Sequence, residues 1–121
     1  MLRLRRSLQS GAKVMTAAWQ VVYTESSPVA FLFAAADIDL SVMAGVDAID
    51  IRLRRVLVSG GGWIVADQAP PYVGPQPVNH PMVHIGPFPN TYGVEIAMRQ
   101  TAGVLRSITC EFSDAKRLGL N

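Results

Sequence analysis

The feature that most constrains this chain is a two-residue period that runs through nearly all of it. Trp19, Val21 and Tyr23 alternate with Gln20, Val22 and Thr24, and Ile38, Leu40 and Val42 with Asp37, Asp39 and Ser41. Ile49, Ile51 and Leu53 alternate with Asp50, Arg52 and Arg54. Later, Tyr92, Val94, Ile96 and Met98 alternate with Gly93, Glu95, Ala97 and Arg99, and Ile108, Cys110 and Phe112 with Ser107, Thr109 and Glu111. Successive side chains of a strand point to opposite faces, so this pattern buries one face and solvates the other. No stretch keeps a 3.6-residue period for twelve positions, so helices are not the framework. The run Val29–Ala36 is apolar throughout, as in a strand that is either central in a sandwich or part of an interface. Ser26-Ser27-Pro28, Ala44-Gly45, the hairpin turn Ser59-Gly60-Gly61-Gly62 and Gln100–Gly103 separate the runs. The adjacent Arg54-Arg55 breaks the period and predicts a bulge or a strand that changes sheets. The expected fold is all-β: a single antiparallel β-sandwich, or a barrel-like variant. Trp19, Tyr23, Ile51, Leu53, Val94, Ile96, Ile108 and Phe112 are its expected core.

Two segments read differently. Residues 1–13 hold Arg3, Arg5, Arg6 and Lys13 and no acid, which reads as a basic N-terminal arm ahead of a sandwich domain at 14–121. Residues 67–90 hold seven of the eight prolines, together with Tyr72, Val78, Met82, Ile85 and Phe88. Proline removes backbone donors, so this segment reads as a long extended loop and not a central strand. Both are expected to reach neighbouring molecules while the sandwich folds without them. Arg3, Arg5 and Arg6 would meet acidic groups on a partner, and Tyr72, Val78, Met82, Ile85 and Phe88 would supply apolar contact. The ending SDAKRLGLN reads as a frayed polar tail.

Composition narrows the class. A chain of 121 residues is one domain. Only 17% of it is charged while half is hydrophobic, against a usual charged share of about 25%. Such a surface is short of charge, which points to burial against other subunits. Outside residues 1–13, seven cations face nine acids, so the basic pI belongs to the arm and no nucleic-acid face is indicated. No breaker-free run approaches a membrane span, and no apolar core follows the basic start, so neither a membrane segment nor a signal peptide is expected.

The chemistry-bearing residues are sparse. Asp37 and Asp39 alternate along a strand, as a solvated face does, and no Gly-x-Ser-x-Gly elbow exists. Imidazole and thioether in His80-Pro-Met-Val-His84 suit copper, yet Pro81 forbids a helix and an extended chain spreads the histidines over about 13 Å. The single Cys110 has inward parity and reads as a small buried hydrophobe. Trp19, Tyr72, Phe88 and Tyr92 could line a sugar platform, although core and interface aromatics are commoner. No catalytic, cofactor-binding or metal-ligating residue is therefore expected, and no cofactor.

The strand DAIDIRLRRVLV with its SGGGW turn, the segment APPYVGPQPVNHPMVHIGPFP and the closing hairpin YGVEIAMRQTAGVLRSITCEF span residues 17–113 in outline. Together they resemble the small one-domain β proteins of tailed-bacteriophage virions, a group that includes capsid decoration (cement) proteins and minor tail components. The resemblance implies a non-enzymatic virion protein assembled in the host cytoplasm, foremost a decoration protein that stabilises neighbouring subunits through extended arms. Its partners would be further copies of itself, as a homo-oligomer, and other virion subunits such as the major capsid protein. It implies no functional residue. The alternatives are a minor tail component or a tail-associated carbohydrate- or receptor-binding module; an enzyme or its accessory subunit is a third class.

Overall fold

The computed structural model describes residues 2–25 and 31–117, with side chains for 5–25 and 32–114. Its elements are β1 (Leu2–Arg6), β2 (Gly11–Val14), β3 (Gln20–Glu25), β4 (Phe31–Asp39), β5 (Ala48–Arg55), β6 (Ile64–Gln68), β7 (Tyr72–Val73), β8 (Met82–Ile85), β9 (Phe88–Asn90), β10 (Val94–Ala102) and β11 (Ser107–Arg117). They form two antiparallel sheets. The front sheet runs β1-β11-β4-β8, with β2 also on β11 and β9 also on β4; the back sheet runs β3-β10-β5-β6, with β7 also on β5. The fold is the antiparallel sandwich that the alternation requires, with no helix among the described residues.

The core lies between the sheets. Phe33, Ala36 and Ile38 of β4 and Ile108, Cys110 and Phe112 of β11 face Val22, Tyr23, Ile49, Ile51, Val94, Ile96 and Met98 of the back sheet. The Tyr23 ring lies 5.1 Å from both Phe33 and Phe112, which joins the sheets through aromatic contacts. Six of the eight expected core residues are buried, and Leu53 is partly so. Trp19 is the exception: it lies on the outer surface, where guanidinium groups cover it.

Bulges adjust the alternation. An extra residue in β3 opposite Ile96 and Ala97 lets both Val22 and Tyr23 point inward. Another in β4, opposite Ser113 and Asp114, turns Phe33 inward. The irregularity expected at Arg54-Arg55 occurs between Leu53 and Arg54, but its extra residue, Ala66, is on the partner strand β6. Phe31 to Asp39 is one strand where two were expected. It lies between β11 and β8/β9 in the front sheet, and its outward side chains are not covered by the chain itself, Leu32 being 39% exposed. Ser26-Ser27-Pro28 and the start of the Val29–Ala36 run lie outside the described residues.

Three expectations are corrected. First, the closing hairpin is an arch: β10 belongs to the back sheet and β11 to the front, so the turn between them crosses the sandwich. Buried Gln100 latches it, donating to the carbonyls of Ala102 (2.9 Å) and Val104 (2.6 Å) and accepting from the Arg106 N–H (2.9 Å). Asp47 secures the same turn by accepting from Val104 N–H, Ala44 N–H and Arg106 Nε. Gly103 adopts φ 84° there, and a Cβ would collide with Asp47, so glycine is required twice over.

Second, the first thirteen residues are not a free arm. β1 pairs with Ser113–Arg117 and β2 with Ser107–Cys110, so they form one edge of the front sheet. The kink between them is sealed on Phe112, whose carbonyl accepts from Ser7 N–H (2.8 Å) and whose N–H donates to Ser10 Oγ (2.9 Å). The same pairing makes 113–117 strand and not frayed tail; residues 118–121 lie outside the described residues. Third, the proline-rich segment crosses from the back sheet, where β7 lies on β5, to the front sheet, where β8 and β9 lie on β4. Prolines are tolerated because these are edge positions. Val83 and Ile85 pack on the core, so the segment belongs to the fold. No helix of the described residues is long and apolar enough to cross a membrane.

Candidate functional site

The eight residues expected at an interface do not come together. Arg5 Nε donates to Asp114 Oδ1 at 2.9 Å, and Arg6 donates twice to Glu111, at 2.7 and 3.0 Å. Both guanidiniums are thus engaged within the chain, and the Arg6 hydrogen bonds hold the Glu111 carboxyl below its ordinary range. The Arg3 side chain lies outside the described ones. Tyr72, Ile85 and Phe88 pack on the chain's own core, with Phe88 stacked on Phe33 at 4.9 Å. Val78, 95% exposed, and Met82, 55% exposed, remain available.

Met82 borders a shallow cleft of about 390 Å³ with Tyr72, Gln76, Pro77, His80 and His84 among its lining. Asp37 is the direct cross-strand partner of His84, and its Oδ1 lies 2.6 Å from the ring Nδ1. This carboxylate orients the imidazole and leaves Nε2 as its second hydrogen-bonding atom. The described residues do not gather three His, Cys, Asp or Glu side chains at a metal-sized centre. Cys110 is fully buried at 3.9 Å from Met98 Sδ, and burial pushes its thiol up to about 11. A thiol so placed is a packing group.

The outer face of each sheet carries a group of charged side chains. On the back sheet, Arg52 and Arg54 of β5 and Arg99 of β10 share the outward parity. Arg52 and Arg99 lie 4.2 and 4.5 Å from the Trp19 ring, and Arg54 lies 5.8 Å from Trp63. Arg54 makes a two-pronged pair with Glu95 (2.7 and 2.8 Å), and Arg99 pairs with Asp50 at 2.7 Å. Glu95 and Asp50 are buried beneath these cations, so the surface itself is guanidinium and indole. Arg52 has no carboxylate partner among the described residues.

The front sheet is the reverse. Asp37 and Asp39 of β4 and Glu111 of β11 point outward, and Asp37 is directly opposite Glu111. Arg6 and His84 flank that like-charged pair on either side. Asp39 accepts one backbone N–H, from Ser41, and meets no cation among the described residues. Apolar side chains are exposed beside the charges on both faces: Val21 and Val65 at the back, Val14, Leu32 and Met82 at the front.

The outward parity of Arg52, Arg54 and Arg99, and that of Asp37 and Asp39, is present in the sequence. What was missed is their grouping by sheet, since alternation does not say which strands are neighbours. No family model, no curated protein and no solved structure matches the chain.

Proposed function

We propose that this chain is a non-enzymatic structural subunit that works by assembling with further copies and other proteins, in the manner of a bacteriophage capsid decoration protein. One observation carries the reading: large apolar side chains are exposed along sheet edges and faces where a solitary domain would carry charge. Every residue of β6 is exposed, Ile64 and Val65 included, and Val73 continues that edge on β7. Leu57 and Val58 lie in the adjoining hairpin, Val104 and Leu105 on the arch, and Leu8, 99% exposed, at the β1–β2 kink. An open edge strand with uncovered valine and isoleucine is a template for another chain.

The virion setting rests on the resemblance of the strand, turn and proline-rich segments to small phage β proteins. A tail component remains the nearest alternative. A glycan-binding role has less support, because Trp19 is covered by two guanidiniums and Tyr72 and Phe88 pack inward. Sedimentation velocity of the purified protein, with mass spectrometry of particles from its source, tests the reading. The expected result is an oligomer or a particle-bound protein. A chain that stays monomeric at high concentration and is absent from particles would overturn it.

A further inference from the structure

We infer that copies of this chain stack in one direction, the acidic outer face of the front sheet on the arginine-rich outer face of the back sheet. The inference rests on the assembly reading above and specifies its geometry. The two faces lie on opposite sides of the sandwich and differ in sign. At the back, three arginines cover two buried carboxylates, leaving Arg52 without an ion-pair partner among the described residues. At the front, three carboxylates face outward, with Arg6 on Glu111 and the His84 ring on Asp37, leaving Asp39 without a cation among the described residues. Each surplus charge has exposed apolar neighbours. Met82 is the direct cross-strand partner of Asp39, while Val21 and Val65 lie on the strands to either side of the β5–β10 pair that holds Arg52.

A second copy is the occupant that this complementarity selects. Front-to-front contact would oppose Asp39 with carboxylates, and back-to-back contact would oppose guanidinium with guanidinium; both like-charge arrangements are costly. Front-to-back contact pairs Arg52 with Asp39 and covers Met82, Val21 and Val65 at once. Because the contact is between two different surfaces, it does not end at a dimer. It closes as a ring or continues as a tube, depending on the rotation between successive copies. With sheets about 10 Å apart, both within and between molecules, each copy adds about 20 Å along the stack.

Charge exchange tests this directly. Asp39 is on the surface and holds a single backbone bond, so Asp39→Arg keeps the sandwich; Arg52→Glu removes the cation that faces it. Each variant alone is expected to assemble at least tenfold more weakly than the wild type by sedimentation velocity. An equimolar mixture is expected to recover assembly: the glutamate introduced in one variant meets the arginine introduced in the other, and the wild-type pair forms at alternate contacts. Should Arg52→Glu lose its β-sheet circular dichroism, Arg52→Ala and Asp39→Ala replace the pair, and both are expected to weaken assembly. A wild type that assembles while all variants assemble equally well, or a mixture that does not recover, overturns the stacking and leaves the assembly reading standing. A wild type that never self-assembles overturns the stacking, and one that is also absent from particles overturns both.

Discussion

Replacing Gln100 with leucine isolates what the arch contributes. The two side chains are close in volume, so the core stays filled while three hydrogen bonds disappear: two donated to the carbonyls of Ala102 and Val104 and one accepted from the Arg106 N–H. A hydrogen bond contributes about 1 kcal/mol net, and a buried polar group left unpaired costs about 1–3 kcal/mol. Water reaches the carbonyls in part, because Ala102 and Val104 are exposed, whereas Gln100 itself is buried. The expected loss is therefore about 2 kcal/mol, a substantial share of the 5–15 kcal/mol typical of a domain. Urea unfolding followed by tryptophan fluorescence reads it as a midpoint lowered by about 1 M, at an m-value of about 1–3 kcal/mol/M. Gln20→Leu is the control. That half-exposed side chain also holds a backbone carbonyl, of Val14 at 3.0 Å, but at the wet margin of the sandwich. Its replacement should cost less than about 0.5 kcal/mol. Equal losses for the two variants, or none for Gln100→Leu, would refute the latch.

Two titration predictions follow from the pKa directions. The Asp47 carboxyl is held below its ordinary value, first by the Arg106 hydrogen bond and then by the Ala44 N–H, so its stabilisation is present above the ordinary carboxylate range and lost as pH falls through the lowered value. Thermal melts should show Asp47→Asn less stable than wild type at neutral pH and with a flatter acid limb; parallel limbs would sink the assignment. The Cys110 thiol has its pKa raised by burial from 9.0 to about 11, so its contribution is full below 9.0 and fades as pH rises towards 11. Cys110→Ala should flatten that alkaline slope, and a thiol reagent should label the native protein at neutral pH only as fast as it unfolds. Prompt labelling would show that the site is open.

Much of the fold was legible because burial of one face leaves a plain mark. Ile51 and Ile96 are buried where their parity requires, and the Ser59–Gly62 turn joins β5 to β6 as its glycines suggest. Neighbour relations were not legible. β10 and β11 have the pattern of a hairpin, and nothing in their alternation says that Gln100 and Asp47 send them to opposite sheets. The stretch LRLRR illustrates a different failure. Its alternation was present, but its charges read as an arm because the carboxylates that receive Arg5 and Arg6 lie 109 and 105 positions along the chain. Prolines likewise exclude a central strand but permit an edge, and β7, β8 and β9 are all at edges. As for the candidate surfaces, Trp19 has the parity of a core residue, and only tertiary structure brings Arg52 and Arg99 across it.

The pairing of β1 and β2 with β11 also sets an order of events during synthesis. β3, β5, β6, β7 and β10 are complete once residue 102 has emerged, so the back sheet can form before β11 has. The front sheet cannot, because β1, β2 and β4 all lie against β11, and Leu2 meets Arg117. At about 5–20 residues per second, the first strand waits on the order of ten seconds for its partner. Throughout that interval β1 is without the strand it pairs with in the finished sheet, while β4 can already lie against β8 and β9, so closing the β1–β11 edge is the last pairing the chain can make.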